Sequence, residues 1–535
     1  MILKQLLKHL NTLFILCLMS PIILFGQVTD VNKLDQKYLN WYLKDFEQDQ
    51  VPGTSASKAY EFLARKSVSK TIIVAVIDSG VAIDHEDLEG KIWINEDEVA
   101  GNYIDDDNNG YVDDVHGWNF IGNSKGENII WENLEYVRII KAGDKTDPLY
   151  AKSMEFYNEN IAEKTEDKQN LERFELILTK VKQIIKDDSG IEVNSAEDLD
   201  LVHPKSDQAK AATKFLVEKY KLGFTEEALT EFIDYTNEYL DYMLNLDFNP
   251  RDIIGDDTKD ITDIGYGNPD VTGPRADHGT GVSGVIAAVR GNGIGIEGIA
   301  TNVKIMAIRA VPNGDERDKD IALAIRYAVD NGANIINMSF GKDFSPEKEY
   351  VDEAVRYAAD NNVLLVHAAG NDGKNIDLGE NYPTKRMLDE TIAPNYLSVG
   401  ASTSKLDKTI AASFSNYSSN YVDLFAPGEH IITLDTGNQY NDVDGTSFAA
   451  PAASGVAALV WSYYPELTAV ELKHILMASA FMFKKPKKVL LPEEKSDKRR
   501  KTKFTNLSKT GGLINAYEAV KLAEERSPHT ASVNE

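Results

Sequence analysis

The sequence predicts an α/β fold, a mainly parallel central sheet flanked by helices, and two observations carry that prediction. Ile72-Ile73-Val74-Ala75-Val76-Ile77 is a continuous apolar, largely β-branched run, the pattern of a strand covered on both faces. From residue 303 onward, strand patterns alternate with helical ones, the order that builds parallel βαβ units. Asp78 closes the first strand, at the carboxyl end where open α/β sheets place their chemistry.

The chain has 535 residues, 42% of them hydrophobic, enough for a large core with added elements. Its formal charge of −28 argues against nucleic acid as a partner and favours solubility or cation binding. Residues 1–26 read as a secretory signal peptide: Lys4 and Lys8 precede an apolar run, 13–25, too short to span a bilayer comfortably. Cleavage is expected near Gly26–Gln27. An uncleaved anchor is the alternative, although Pro21 interrupts the run. The single cysteine, Cys17, lies inside this segment, and Leu16 before it is not the small residue that lipid attachment wants. The expected mature protein is secreted, periplasmic or extracellular, with no disulfide and no stable membrane anchor. Bound metal is the usual substitute for disulfides in such a chain.

Residues 27–70 form a polar N-terminal segment carrying Trp41, Tyr42, Phe46 and Tyr60, with a turn at 51–54 and a short helix at 56–65. After the first strand, Asp84-His85-Glu86-Asp87 reads as a polar loop, with His85 a surface or loop residue without a supporting motif. Asp105, Asp107, Asn109, Tyr111 (through its carbonyl) and Asp113 then stand at calcium-loop positions 1, 3, 5, 7 and 9, with Gly110 at 6 for the sharp turn. Position 12 is His116, so a complete EF-hand is excluded. Calcium is favoured over a solvated acidic turn because the carboxylates would otherwise repel one another.

Residues 124–262 read as an inserted, mainly helical subdomain. Leu171, Phe174, Leu178, Val181 and Ile185 recur at helical spacing, as do Phe215, Leu216 and Tyr220. This stripe is expected to be the insertion's own core, with a lid or substrate-selecting role as the alternative. The main domain takes 71–123 and 263–523, followed by a tail at 524–535. It contains strands at 303–309, 333–338 and 363–369, and helices at 318–331, 346–361, 448–463, 468–479 and 513–522. The basic stretch 484–503 reads as an exposed charged loop.

The chemistry lies in three motifs. Asp277-His278-Gly279-Thr280 opens a run of small residues suited to a tightly packed helix, with His278 at its exposed N-terminal end. Asp78-Ser79-Gly80 ends a strand, and Gly445-Thr446-Ser447-Phe448-Ala449-Ala450-Pro451 sets a serine before an apolar helix. The chain order Asp, His, Ser with these motifs resembles the subtilisin-like serine proteases, the subtilases; α/β-hydrolases and chymotrypsin-like proteases order the three differently.

The resemblance implies the subtilisin-like three-layer fold and a triad of Asp78, His278 and Ser447. It implies an oxyanion-hole role for Asn371, which ends Val366-His367-Ala368-Ala369-Gly370-Asn371. It also makes Ser339, Phe340 and Gly341, with Ala368, Ala369 and Gly370, the two segments lining the primary specificity pocket. Their small, uncharged character favours medium or large apolar side chains. Two departures stand out: Gly281 replaces a usual histidine, and His367 stands where a small residue is usual. The expected function is a secreted serine endopeptidase acting on polypeptides through an acyl-enzyme, stiffened by structural calcium and needing no catalytic cofactor. The alternatives are a catalytically retired fold that binds proteins, and a narrow processing peptidase gated by the insertion. The N-terminal segment is too short for the inhibitory propeptide many subtilases carry.

Overall fold

The computed structural model describes residues 30–377, 380–485, 487–493 and 499–527. The expected leader with Cys17, and 528–535 of the tail, lie outside them.

Residues 30–135 and 249–527 make one compact unit around a sheet ordered β2-β3-β1-β4-β5-β6-β7. Its strands are β1 (Ile72–Asp78), β2 (Gly117–Asn119), β3 (Val303–Arg309), β4 (Ile335–Met338), β5 (Leu364–Ala368), β6 (Tyr396–Ser402) and β7 (Leu424–Pro427), every neighbouring pair parallel. Alternate residues of each central strand serve different cores, as the two-residue period requires. Ile72, Val74 and Val76 join one cluster with the helices Asp277–Ala287 and Thr446–Tyr463. Ala75 and Ile77 join the other, with the helices Asp318–Asp330 and Lys348–Asp360. Two cores on one parallel sheet are the three layers that the resemblance implied. Each large aliphatic side chain buried here is worth about 1.5–3 kcal/mol.

Elements with a clear period fall within a few residues of their expected places. Others differ. The last helix is Ala516–Arg526, because Leu513 bridges to Phe425 and Phe481 as extended chain and Asn515 caps the helix through the Glu518 N–H. Part of the basic stretch is a short antiparallel ladder, β10 (Lys488–Leu490) with β11 (Lys501–Lys503). Before it comes a hairpin, β8 (Ile431–Asp435) and β9 (Gln439–Val443).

The N-terminal segment is built into the first core. Trp41 and Tyr42 are buried; Trp41 Nε1 donates to the His430 carbonyl at 2.8 Å and the Tyr42 hydroxyl to the Glu297 carbonyl at 2.9 Å.

The 124–262 stretch divides between two units. Residues 136–248 are compact by themselves. In them the 40-residue helix Tyr150–Ser189 packs Phe174, Leu178, Val181 and Ile185 against Phe215 and Leu216 of Asp207–Lys221. Residues 249–262 instead pack with the sheet unit, where Arg251 pairs with Asp256 and Asp320 and Lys319 pairs with Asp256, all of them buried. Among the described residues, no helix is long and apolar enough to cross a membrane.

Candidate active site

Asp78 ends β1 beside Arg309 of β3, whose buried guanidinium donates to the Ser79 carbonyl at 2.9 Å and so holds the turn after Asp78. The Asp78 carboxylate is 2% exposed. Its Oδ1 accepts the Ser79 N–H at 2.8 Å and lies 2.7 Å from His278 Nδ1. A carboxylate only accepts, so the proton of the neutral imidazole sits on Nδ1 and Nε2 keeps a lone pair. Burial pulls the His278 pKa down, but the charge of Asp78 and its hydrogen bond outweigh this, and the net shift is upward.

His278 is held by close packing of its helix on β8. A Cβ at Gly281 would stand 3.0 Å from Thr433 Cγ2 and 3.2 Å from the Phe448 ring, while the Thr433 hydroxyl donates to the Gly281 carbonyl at 2.6 Å. Thr433 and Phe448 therefore occupy the space a larger residue would need, which explains the first departure.

Ser447 lies in the first turn of the helix Thr446–Tyr463. Pro451 is the sixth residue of this helix, and its missing N–H would have bonded the Ser447 carbonyl. That carbonyl is satisfied instead by the Ser339 hydroxyl at 2.7 Å, which in turn accepts from Asn337 Nδ2 at 2.9 Å. The Ser447 hydroxyl donates to the Ser339 carbonyl at 3.1 Å rather than to His278. The Phe448 ring packs 5.5 Å from the imidazole, centroid to centroid.

Asn371 is oriented by Thr446, a residue to which the sequence reading gave no role. Asn371 Oδ1 accepts both the Thr446 N–H and the Thr446 hydroxyl at 2.8 Å, and that hydroxyl accepts the Gly370 N–H at 3.1 Å. With its oxygen committed twice, the amide turns its N–H groups the other way. A Cβ at Gly445 would lie 3.7 Å from Asn371 Nδ2 and 3.5 Å from the Ser447 nitrogen, so both donors border one space. The helix N-terminus adds its positive end there.

The segments after β4 and β5 run side by side, Met338 in register with His367. His367 Nε2 lies 2.8 Å from the Phe340 carbonyl, tying Ser339-Phe340-Gly341 to Ala368-Ala369-Gly370. Asn381, which no motif marks, stands between them: its Nδ2 donates to the Ala368 carbonyl at 3.2 Å, and a Cβ at Gly341 would come within 2.6 Å of its Oδ1. Burial pushes the His367 pKa down to about 4, so its ring is neutral and Nε2 carries the proton.

The folded value of His367 lies below the unfolded one, so its contribution is complete above pH 6.5 and is lost as pH falls toward about 4. The loss amounts to about 3 kcal/mol. We expect urea midpoints of the wild type to drop more steeply over this window than those of His367→Asn; parallel curves would contradict the assignment.

The acidic loop converges differently from its spacing. Carboxylate oxygens of Glu98, Asp105 and Asp107 lie within 4.8 Å of one another. Asp113 is outside that group: its oxygens accept the N–H groups of Asn102 and Tyr103 at 3.1 and 2.9 Å and close a neighbouring turn. Asn109 Oδ1 accepts the Tyr111 N–H at 2.8 Å. His85 lies in a loop, as expected, and is buried there, its Nδ1 accepting the Asp87 N–H at 3.1 Å.

Residues 69–513 match the subtilase family, peptidase S8. The thermophilic serine proteinase of Bacillus sp. (strain AK1) is 38% identical over 220 residues, 41% of this chain and 50% of that protein. The major intracellular serine protease of Bacillus subtilis (strain 168) is 36% identical over 211 residues, 39% and 62% respectively. Subtilisin DY of Bacillus licheniformis is 35% identical over 207 residues, 38% and 70%. The chain thus spans about half the length of the first of these relatives and three fifths of the second. A match running through the strands, the histidine helix and the serine helix alike places this chain in the subtilase family.

Proposed function

We propose that the chain is a serine endopeptidase, and the observation that carries this reading is the 2.7 Å contact of Asp78 with His278 beside the Ser447 helix terminus. A serine χ1 turns between staggered wells at little cost, so the Ser447 hydroxyl leaves the Ser339 carbonyl and meets Nε2 when substrate enters. His278 then takes the hydroxyl proton as the oxygen attacks the scissile carbonyl, and later returns it to the leaving amine. Asp78 holds the ring and offsets its transient charge. The developing oxyanion sits between Asn371 Nδ2 and the Ser447 N–H. Polypeptide lies along the two pocket segments as an added strand, with an apolar side chain against Asn381. The test is digestion of casein followed by mass spectrometry: internal cleavages support the reading, and intact casein or terminal trimming alone overturns it.

Asn371→Leu is expected to lower kcat by about 10²–10³ with KM nearly unchanged, a magnitude known from subtilisin rather than derived from this chain. A change confined to KM would remove Asn371 from the oxyanion site.

Glu98, Asp105 and Asp107 present oxygen ligands alone, which suits a hard cation, and we propose that they hold structural calcium. Calcium at a hundredfold excess over Kd stabilises by about 2.7 kcal/mol. Calcium added to the metal-stripped protein should raise the thermal midpoint of the wild type and leave that of Glu98→Gln unmoved; equal shifts would count against the site. Secretion rests on residues 1–26, and Edman sequencing of the exported protein from Gln27 would support it.

A further inference from the structure

We propose that His430, Asp442 and Asp444 form a binding site for a zinc-type divalent cation at the open end of the β8–β9 hairpin. The site is independent of the hydrolytic reading and distinct from the all-oxygen loop.

The hairpin register supplies the geometry. Ile431 faces Val443, so His430 and Asp444 are the next pair outward, and Asp442, two residues before Asp444, points to the same face. The His430 N–H donates to Asp444 Oδ1 at 2.6 Å, fixing that carboxylate beside the ring. One ligand atom from each of the three residues lies within 4.8 Å of the other two.

Two details separate this arrangement from an ordinary ion pair. His430 Nδ1 stands 3.2 Å from Asp442 Oδ2, longer than the 2.7–2.9 Å of a charge-assisted bond. That distance is instead close to the edge of a tetrahedron whose bonds are 2.0–2.1 Å, about 3.3 Å. Asp442 Oδ1, for its part, is shut off from water and accepts no hydrogen bond. A carboxylate oxygen so placed is costly unless a cation stands at it.

The imidazole is already held for the purpose. It stacks on Tyr38 at 4.1 Å and 11°. Its backbone is left-handed at φ 53°, and its carbonyl accepts from Trp41. One imidazole nitrogen with two carboxylates is a donor set for zinc rather than calcium, with water completing the shell. A cation here cross-links both strands just before the Gly445 N–H donates to the Gly428 carbonyl, two residues before Ser447.

The test is calorimetric titration of the metal-stripped full chain with Zn²⁺ in excess Ca²⁺, with cobalt absorption as a second readout. We expect one Zn²⁺ per chain and the ligand-field bands of tetrahedral cobalt. His430→Gln and Asp442→Asn, checked for folding by circular dichroism, should each bind at least roughly 100-fold more weakly, since losing a group that merely supports a ligand already costs 10–100-fold. Glu98→Gln should bind as the wild type does. If His430→Gln misfolds, Asp442→Asn decides alone. Zinc binding unchanged in the variants, or no saturable binding by the wild type, would overturn the proposal and leave a plain His430–Asp442 ion pair.

Discussion

Ser447→Ala is expected to lower kcat/KM on an unstructured protein by on the order of 10⁶, a loss of the size measured in subtilisin rather than computed for this chain. The fold should barely register the change. The hydroxyl gives up one hydrogen bond, to the Ser339 carbonyl, while the main-chain Ser447 carbonyl keeps the Ser339 hydroxyl. A thermal midpoint within the effect of one such bond, about 1 kcal/mol, should accompany the lost activity. His278→Ala should cost about as much, and the double variant little more, because nucleophile and base act as one unit. Additive losses would show that the two residues work separately.

Asp78→Asn is expected to cost about 10⁴ in kcat, through the tautomer rather than the fold. The present carboxylate can only accept, which keeps the His278 proton on Nδ1. An asparagine amide can donate there, favouring the tautomer whose Nε2 already holds a proton and cannot take that of Ser447. The pH profile carries a second signature. His278 must be neutral to act as base, and Asp78 holds its pKa above the ordinary 6.5, so wild-type kcat/KM should rise with pH through an ionisation above that value. Removing the negative charge destabilises the imidazolium, so the acid limb of Asp78→Asn should move to lower pH. An acid limb that stays in place would mean that Asp78 does not face the base.

What could be seen in the sequence depended on how far each signal reaches along the chain. β1 and β3 to β5 are apolar runs with helices between them, and Asp78, His278 and Ser447 each stand at the end of a core element, so local pattern sufficed to place those elements. β6, β7 and the β8–β9 hairpin escaped notice: Gly400 interrupts the first, β7 has only four residues, and Thr433 and Asp435 break the apolar run of the third. The calcium-loop spacing pointed to Asp105 and Asp107, which the fold gathers with Glu98 from before the motif, while Asp113 accepts the N–H groups of Asn102 and Tyr103. With no helix after the loop, its later residues turn toward other backbone groups. Thr446 and Asn381 act through partners 75 and 13 positions away, contacts that no periodicity announces. His430 and Asp442 are likewise brought together only by the turn of their hairpin.

The most direct test of the proposed triad is to treat the protein with an organophosphate serine reagent and locate the adduct by tandem mass spectrometry. We expect one adduct per chain, on Ser447, forming as activity disappears and failing to form in His278→Ala. No adduct, or an adduct on another residue while Ser447 stays free and activity is lost, would contradict it.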